Sequence, residues 1–312
     1  MKVFLAGASG VIGRTLLPRL LEQGHEVSAL TRTPDKARAL RDAGANPVVA
    51  DALNAEALRD AIVAAKPEAV IHHLTDLPQQ MTPGSIKQGL AATDRVRTTG
   101  TANLLDAARA AGARRLVAQS IAFAYAPVGA GLKDESDPLY LDAPPPFNAT
   151  VGAVAELERA VTNAEGIEGL ALRFGFWYGP GTAYADDGHF ASEARRRRLP
   201  IVGDGSAVFS FVHVDDVAGA TIAALEGGEP GIYNVVDDDP APAREWTPAF
   251  AEAVGAKRPL RLPVFVVRLV AGSYAAYLAT GLRGASNEKA KRELGWTPRW
   301  PSWRQGFREA LG

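Results

Sequence analysis

The chain has 312 residues, 47% apolar and 22% charged, with a net charge of −1. Such a composition suits a soluble globular protein of one large or two modest domains, and it favours neither nucleic acid nor an anionic membrane surface as partner. The absence of cysteine excludes disulfides, thiol nucleophiles and cysteine metal sites, and it fits a reducing compartment.

The first strand is predicted at Lys2-Val3-Phe4-Leu5-Ala6, and a glycine loop follows, Gly7-Ala8-Ser9-Gly10-Val11-Ile12-Gly13. The loop opens a helix beginning Arg14-Thr15-Leu16-Leu17. A buried strand that delivers backbone N–H groups to a helix N-terminus favours a pyrophosphate by hydrogen bonding and by the helix dipole. In that reading Gly7 makes the turn, Gly10 admits the phosphates, and Gly13 lets helix and strand pack closely. The cofactor-binding candidates are Gly7, Ser9, Gly10, Val11, Ile12 and Gly13. Because the first strand already belongs to the fold, no signal peptide is expected, and the location is read as cytoplasmic.

Further strands are predicted at 27–30, 47–50, 69–72, 115–118 and 169–172, alternating with helices at 34–43, from Asn54 to about Ala65, from about Ile86 to Ala111, and from about Asn148 to Asn163. Repeated strand–helix–strand units imply an α/β fold: a Rossmann-type doubly wound parallel sheet. After Arg173 the regularity breaks. Residues 211–236 read as a return to the sheet, through Phe211–Val214, a helix from Asp215, and Ile232–Val235. The domains expected are a dinucleotide-binding domain over 1–173, with 211–236 rejoining it, and a small substrate-binding domain from 174–210 and 237–312. The apolar stretch Val264–Leu282 contains Arg268, Gly272 and Ser273. It reads as a buried or oligomer-facing helix and not a membrane span, which leaves a homodimer open.

The second strand ends in Thr31-Arg32-Thr33, with no acid between Val27 and Pro34. A carboxylate there would suit a ribose 2′-hydroxyl, whereas a guanidinium suits a 2′-phosphate. Arg32, assisted by Arg14, therefore points to NADP(H) over NAD(H). Asp51, after the third strand, is a candidate acceptor for the adenine amino group, or an ordinary loop residue before the helix that Asn54 caps.

Residues spread over nearly the whole chain resemble the extended short-chain dehydrogenase/reductase superfamily, of the NAD-dependent epimerase/dehydratase type. They are the glycine loop, Asp51, Gly100 to Ala108, Arg173 through Tyr178-Gly179-Pro180-Gly181, Gly203-Asp204-Gly205, His213 to Val217, Tyr233-Asn234-Val235 and Glu293 to Pro298. The resemblance implies a Rossmann domain with a small C-terminal substrate domain. It also implies chemistry by a Ser/Thr and a Tyr followed four residues later by Lys, the tyrosine moving a proton while the nicotinamide moves a hydride.

The chain departs from that pattern. The Ser/Thr segment reads Gln119-Ser120-Ile121-Ala122-Phe123-Ala124-Tyr125, so the hydroxyl position falls on Ile121 or, one residue earlier, on Ser120. Asn148 and Gly152 stand on the Tyr and Lys positions, Arg97 stands where a helical Asn is usual, and Phe209 stands where sugar-nucleotide enzymes carry an arginine. The Arg195–Arg198 run reads as a solvated face. Ser120, Tyr125 and His73, with Tyr178 beside them, lie at strand C-terminal ends and are the candidates for a substitute proton donor. The reading is an NADP(H)-dependent oxidoreductase of a small carbonyl- or imine-type substrate with a non-standard proton donor. A catalytically silent NADP(H)-binding sensor is the alternative, and a sugar epimerase or dehydratase the second.

Overall fold

The computed structural model of the chain describes residues 1–77 and 83–311. Seven strands form one parallel sheet: β1 (Lys2–Ala6), β2 (Glu26–Thr31), β3 (Asn46–Val49), β4 (Ala69–His72), β5 (Arg115–Ile121), β6 (Glu168–Phe174) and β7 (Gly231–Val235). Their spatial order is β7-β6-β5-β4-β1-β2-β3. The order therefore reverses between β1 and β4, and the crevice beyond the C-terminal ends of those strands is where ligands bind in open α/β sheets.

Strand periodicity explains why both faces are covered. Val3 and Leu5 point to one side and meet Leu16, Leu17 and Leu20 of α1 (Val11–Glu22) and Ala218, Ile222 and Leu225 of a helix over Val214–Glu226. Phe4 and Ala6 point to the other, onto Leu58 and Ile62 of a helix over Ala55–Ala65, Leu104 of one over Thr101–Ala111, and Leu157 of one over Phe147–Thr162. Alternate residues of a buried strand thus serve two separate cores.

Three short two-stranded pairings lie outside the sheet: Phe176–Tyr178 with Phe211–His213, Val208–Phe209 with Ala241–Pro242, and Ile201–Val202 with Arg261–Leu262. They surround a core rich in aromatic rings, including Phe209, Phe211, Trp246, Phe250, Trp303 and Phe307. Among the described residues, no helix is long and apolar enough to cross a membrane.

Two expectations change. The single helix predicted from about Ile86 to Ala111 is a helix over Pro83–Arg95, a π-helical turn over Val96–Gly100, and the helix over Thr101–Ala111. The apolar stretch from Val264 forms a helix over Val264–Thr280, broken at Gly272, whose φ is +87°. It is not buried along its length: Phe265, Leu269 and Val270 are 72%, 85% and 77% exposed, while Ala276 and Tyr277 after the break are buried, so the buried alternative fails for the first half and the oligomer-facing one stands as an expectation.

Candidate active site

The glycine loop sits at the sheet's reversal point. Gly7 has φ +106°, and a Cβ there would lie 2.6 Å from the His73 carbonyl oxygen. A Cβ on Gly13 would lie 2.2 Å from the Gly7 oxygen and 2.5 Å from the Ala8 carbonyl carbon. Both positions therefore require glycine for packing. Gly10 differs. A Cβ there would meet only the Gly7 oxygen, at 3.2 Å, so the space above it is free of protein. Gly10 precedes α1 in an extended conformation, with no side chain capping the helix and no acid in its first turn. The first N–H groups of α1 have no acceptor within the helix, and no acid in its first turn opposes an anion there, which fits a pyrophosphate.

Arg32 directly follows β2. Its side chain is 60% exposed, and Nη2 lies 3.1 Å from Asp76 Oδ1, on a side chain 41% exposed. The Asp76 backbone N–H donates to Thr93 Oγ1 at 3.0 Å, which anchors the main chain beside Arg32. The sequence reading missed Asp76. Arg14 points elsewhere, with Nη2 3.1 Å from where a Cβ on Gly181 would sit. The exposed Asp51 carboxylate accepts from the Leu53 N–H at 2.9 Å, and Asn54 caps the next helix through the Ala57 N–H.

Ser120 and Tyr125 belong to one buried polar network. Ser120 Oγ donates to Glu158 Oε1 at 2.6 Å. Arg173 donates to both Glu158 oxygens at 2.7 Å, and a third nitrogen donates to the Tyr125 hydroxyl at 2.7 Å. Tyr125 in turn donates to Asn234 Oδ1 at 2.7 Å. Burial pushes the Tyr125 hydroxyl up to about 12, against the opposing pull of Arg173. Burial alone would lower Arg173, but Glu158 and Tyr125 hold it above its ordinary value. Both candidate hydroxyls are committed to structural partners.

His73 lies apart from that network. Its Nε2 is 3.4 Å from Thr221 Oγ1, its ring meets Phe174 edge-on, and Nδ1 is buried without a partner among the described residues. Burial, with His72 beside it, pushes its pKa down to about 3, so the ring is neutral at physiological pH. Tyr178 is buried against His213 and Phe307. Its hydroxyl is packed so tightly under Gly306 that a Cβ there would lie 2.2 Å away.

The helix over Phe147–Thr162 contains neither tyrosine nor lysine. Asn148, on its first turn, is exposed, and a Cβ added at Gly152 would meet nothing within 4 Å. Beside that turn runs a row of stacked rings. Phe176 stacks on Phe123 at 4.5 Å, Phe123 on Phe147 at 6.3 Å, and Phe147 on Tyr274 at 5.0 Å. Phe209 is buried on Phe176 and Trp246, each 4.9 Å away between ring centroids. The Arg195–Arg198 run is a solvated face: Arg195 pairs with Asp186, and Arg196 and Arg198 with Glu193.

Comparison with known proteins gives the family. The chain is 49% identical over 308 residues to a Streptomyces sp. protein named 3-diazoavenalumate denitrifying reductase, covering 98% of this chain and 99% of that one. It is 30% identical over 273 residues to the 2-alkyl-3-oxoalkanoate reductase of Stenotrophomonas maltophilia (strain K279a), covering 83% and 77% of the two chains. The structure of Thermus thermophilus UDP-glucose 4-epimerase in complex with NAD superposes with a TM-score of 0.75 at 27% identity, covering 100% of this chain and 98% of that one. The model of the NAD dependent epimerase/dehydratase family matches residues 3–235, and the chain belongs to that family.

Proposed function

We propose that this protein is a nicotinamide-dependent reductase, using NADP(H) in preference to NAD(H), that replaces the diazo group of a small organic acid by hydrogen with loss of dinitrogen. The observation that carries the reading is the helix over Phe147–Thr162, which has no tyrosine or lysine to handle a proton. Ser120 and Tyr125 are tied to Glu158, Arg173 and Asn234, and His73 is held neutral. Reducing a carbonyl creates an alkoxide that must be protonated, and losing a positioned acid slows such steps by about 10²–10⁴-fold. A diazonium carbon needs no proton. Hydride forms the new C–H bond, the C–N bond breaks, and dinitrogen leaves with that bond's electron pair.

The bound dihydronicotinamide supplies the hydride. The chain's own part is to hold the dinucleotide on Gly7–Gly13, to orient it through Arg32, and to keep the reacting face dry with the partly buried rings of Phe123 and Phe176. The 49% identity to a denitrifying reductase supports this reading over a silent sensor. Phe209, in place of a phosphate-binding arginine, weighs against a sugar-nucleotide epimerase. A second reading, reduction of a carbonyl or imine, is supported by the 30% identical oxoalkanoate reductase.

The test incubates the protein with a carboxylated arenediazonium salt and [4-²H]NADPH, following absorbance at the reduced-nicotinamide band and dinitrogen by mass spectrometry. Stoichiometric dinitrogen release above the protein-free rate, with deuterium on the vacated carbon, is expected. Consumption of NADPH with ketones or imines but not with the diazonium salt would replace this reading by the second.

A further inference from the structure

The first half of the helix over Val264–Thr280 presents apolar side chains to solvent. Phe265, Leu269 and Val270 are largely exposed, and Leu260, just before the helix, is exposed as well. Phe265 and Leu269 stand four residues apart, on one face of the helix. Single exposed apolar residues are ordinary, but four within residues 260–270 form a patch, and such patches mark contact surfaces. The segment is anchored on both sides of the patch. Arg261–Leu262 pairs with Ile201–Val202 before it. Beyond the break at Gly272, Tyr277 is buried and its hydroxyl donates to the Tyr125 carbonyl oxygen at 3.2 Å.

The charge around the patch has one sign. From Ala253 to Asn287 the sequence holds no aspartate or glutamate, whereas Lys257, Arg258, Arg261 and Arg268 flank the exposed apolar residues. All four are exposed, and among the described residues none has a carboxylate partner. Arg197 joins them. Arg195, Arg196 and Arg198 are paired with Asp186 and Glu193, but Arg197 Nη2 reaches only the Arg258 carbonyl oxygen, at 3.5 Å. Asp204, beside the Gly203 that packs under Val264, accepts from the Ser206 N–H at 3.0 Å. The net charge of −1 over the whole chain conceals this local excess of cations.

We propose that this face docks on an anionic lipid surface, with Phe265, Leu269 and Val270 entering the boundary between headgroups and acyl chains and the five unpaired cations meeting the lipid phosphates. The helix before Gly272 runs from Val264 to Ala271. It is far too short to span a bilayer, and it lies on the surface as an interfacial segment. A lipid surface offers negative charge and an apolar interior in one layer, which matches cations around an apolar patch. A second copy of this chain matches less well, because a two-fold contact through the patch would set the same cations against one another. Docking there is independent of which group is reduced at the glycine-loop site.

The experiment measures binding of the full chain to vesicles by flotation, for the wild type, F265S/L269S and R261Q/R268Q. The vesicles are phosphatidylcholine alone or phosphatidylcholine with about one-third phosphatidylglycerol. The wild type is expected to bind the anionic vesicles at least about tenfold more tightly in about 0.1 M salt, and to lose that preference in about 0.5 M salt. Each double variant is expected to weaken anionic-vesicle binding by about tenfold or more. Because these side chains are exposed, NADP⁺ affinity and the thermal midpoint should stay at wild-type values. The chain has no cysteine, so a polarity-sensitive fluorophore on Leu269→Cys reports the patch alone. Its emission should move to the blue on anionic vesicles, and the same probe on Val49→Cys, exposed at the β3 edge, should not respond. Equal affinity for the two vesicles, binding that survives either double variant, or a Leu269→Cys probe that does not respond overturns the proposal. Sedimentation as a dimer that F265S/L269S dissociates would give the face to a second copy and overturn it as well.

Discussion

The proposed preference for NADP(H) rests on an exposed arginine that already has a partner, and the two residues of that pair make opposite predictions. Removing Arg32 should weaken NADPH and spare NADH. A charge-assisted hydrogen bond contributes about 1.5–3 kcal/mol where it is shielded. Arg32 is 60% exposed, so the lower end applies, which is about tenfold in NADPH affinity for Arg32→Ala. Removing Asp76 should act the other way. The Arg32–Asp76 pair is open to solvent on both sides and is worth at most about 1 kcal/mol, so Asp76→Asn should free the guanidinium and tighten NADPH by up to about fivefold. The assay is quenching of tryptophan fluorescence with each cofactor, at two ionic strengths. The NADPH preference should shrink in high salt, as an exposed charge interaction must. If Arg32→Ala weakens NADPH and NADH alike, or if Asp76→Asn weakens NADPH, the 2′-phosphate does not lie on Arg32.

Three further outcomes test the fold's energetics around the site. Glu158→Ala strands the buried Arg173 guanidinium and the Ser120 hydroxyl, so urea unfolding should show a loss of about 3–5 kcal/mol; a loss below about 1 kcal/mol would show that the network is dispensable. Gly13→Ala forces a Cβ against the Gly7 carbonyl and should abolish NADPH binding. Gly152→Ala, in open helical space, should leave binding intact and raise stability by up to about 1 kcal/mol, both read by thermal shift with and without NADPH. His73 has a folded pKa of about 3 against an ordinary 6.5, so below pH 6.5 the unfolded chain takes up the proton that the native ring refuses. Stability should therefore fall with pH from 6.5 downward. His73→Gln should remove about 2 kcal/mol of the loss between pH 7 and pH 5, measured by urea titration at each pH; a variant with an unchanged pH slope would contradict the buried neutral ring.

What the sequence made legible was local. The glycine loop is a matter of three residues and the strand before them, and the strand periods need only their own side chains. Asp76 was not legible because it meets Arg32 only after the sheet places β4 and β2 on either side of β1. The π-helical turn was hidden because Arg95, Gly100 and Thr101 all keep helical backbone angles. One extra residue in a turn leaves composition and capping signals untouched. Tyr274 was read only as part of an apolar segment. Nothing in that segment says that its helix breaks at Gly272, or that the half beyond the break carries a ring onto Phe147. Such contacts belong to tertiary packing and not to propensity.

Binding and turnover make different demands on this site. Holding a dinucleotide needs backbone N–H groups and room; in the proposed site the start of α1 offers the first and Gly10 the second, whatever the reaction. Moving a proton needs a side chain with a free, titratable group near the reacting atom. Ser120 and Tyr125 lie at the end of β5, yet each is bonded into the Glu158–Arg173 network, and the Tyr125 hydroxyl is harder to ionise than a free phenol. A ketone reductase built this way would carry the full penalty of a missing acid. Exchange of dinitrogen for hydride carries none, because no charge is left on substrate oxygen or nitrogen. A single measurement separates the two chemistries. The rate with a diazonium salt should be flat between pH 6 and 8, whereas a rate set by protonation of an alkoxide must rise as the pH falls. A slope in the diazonium rate over that range would mean that a proton donor acts within reach of the bound substrate.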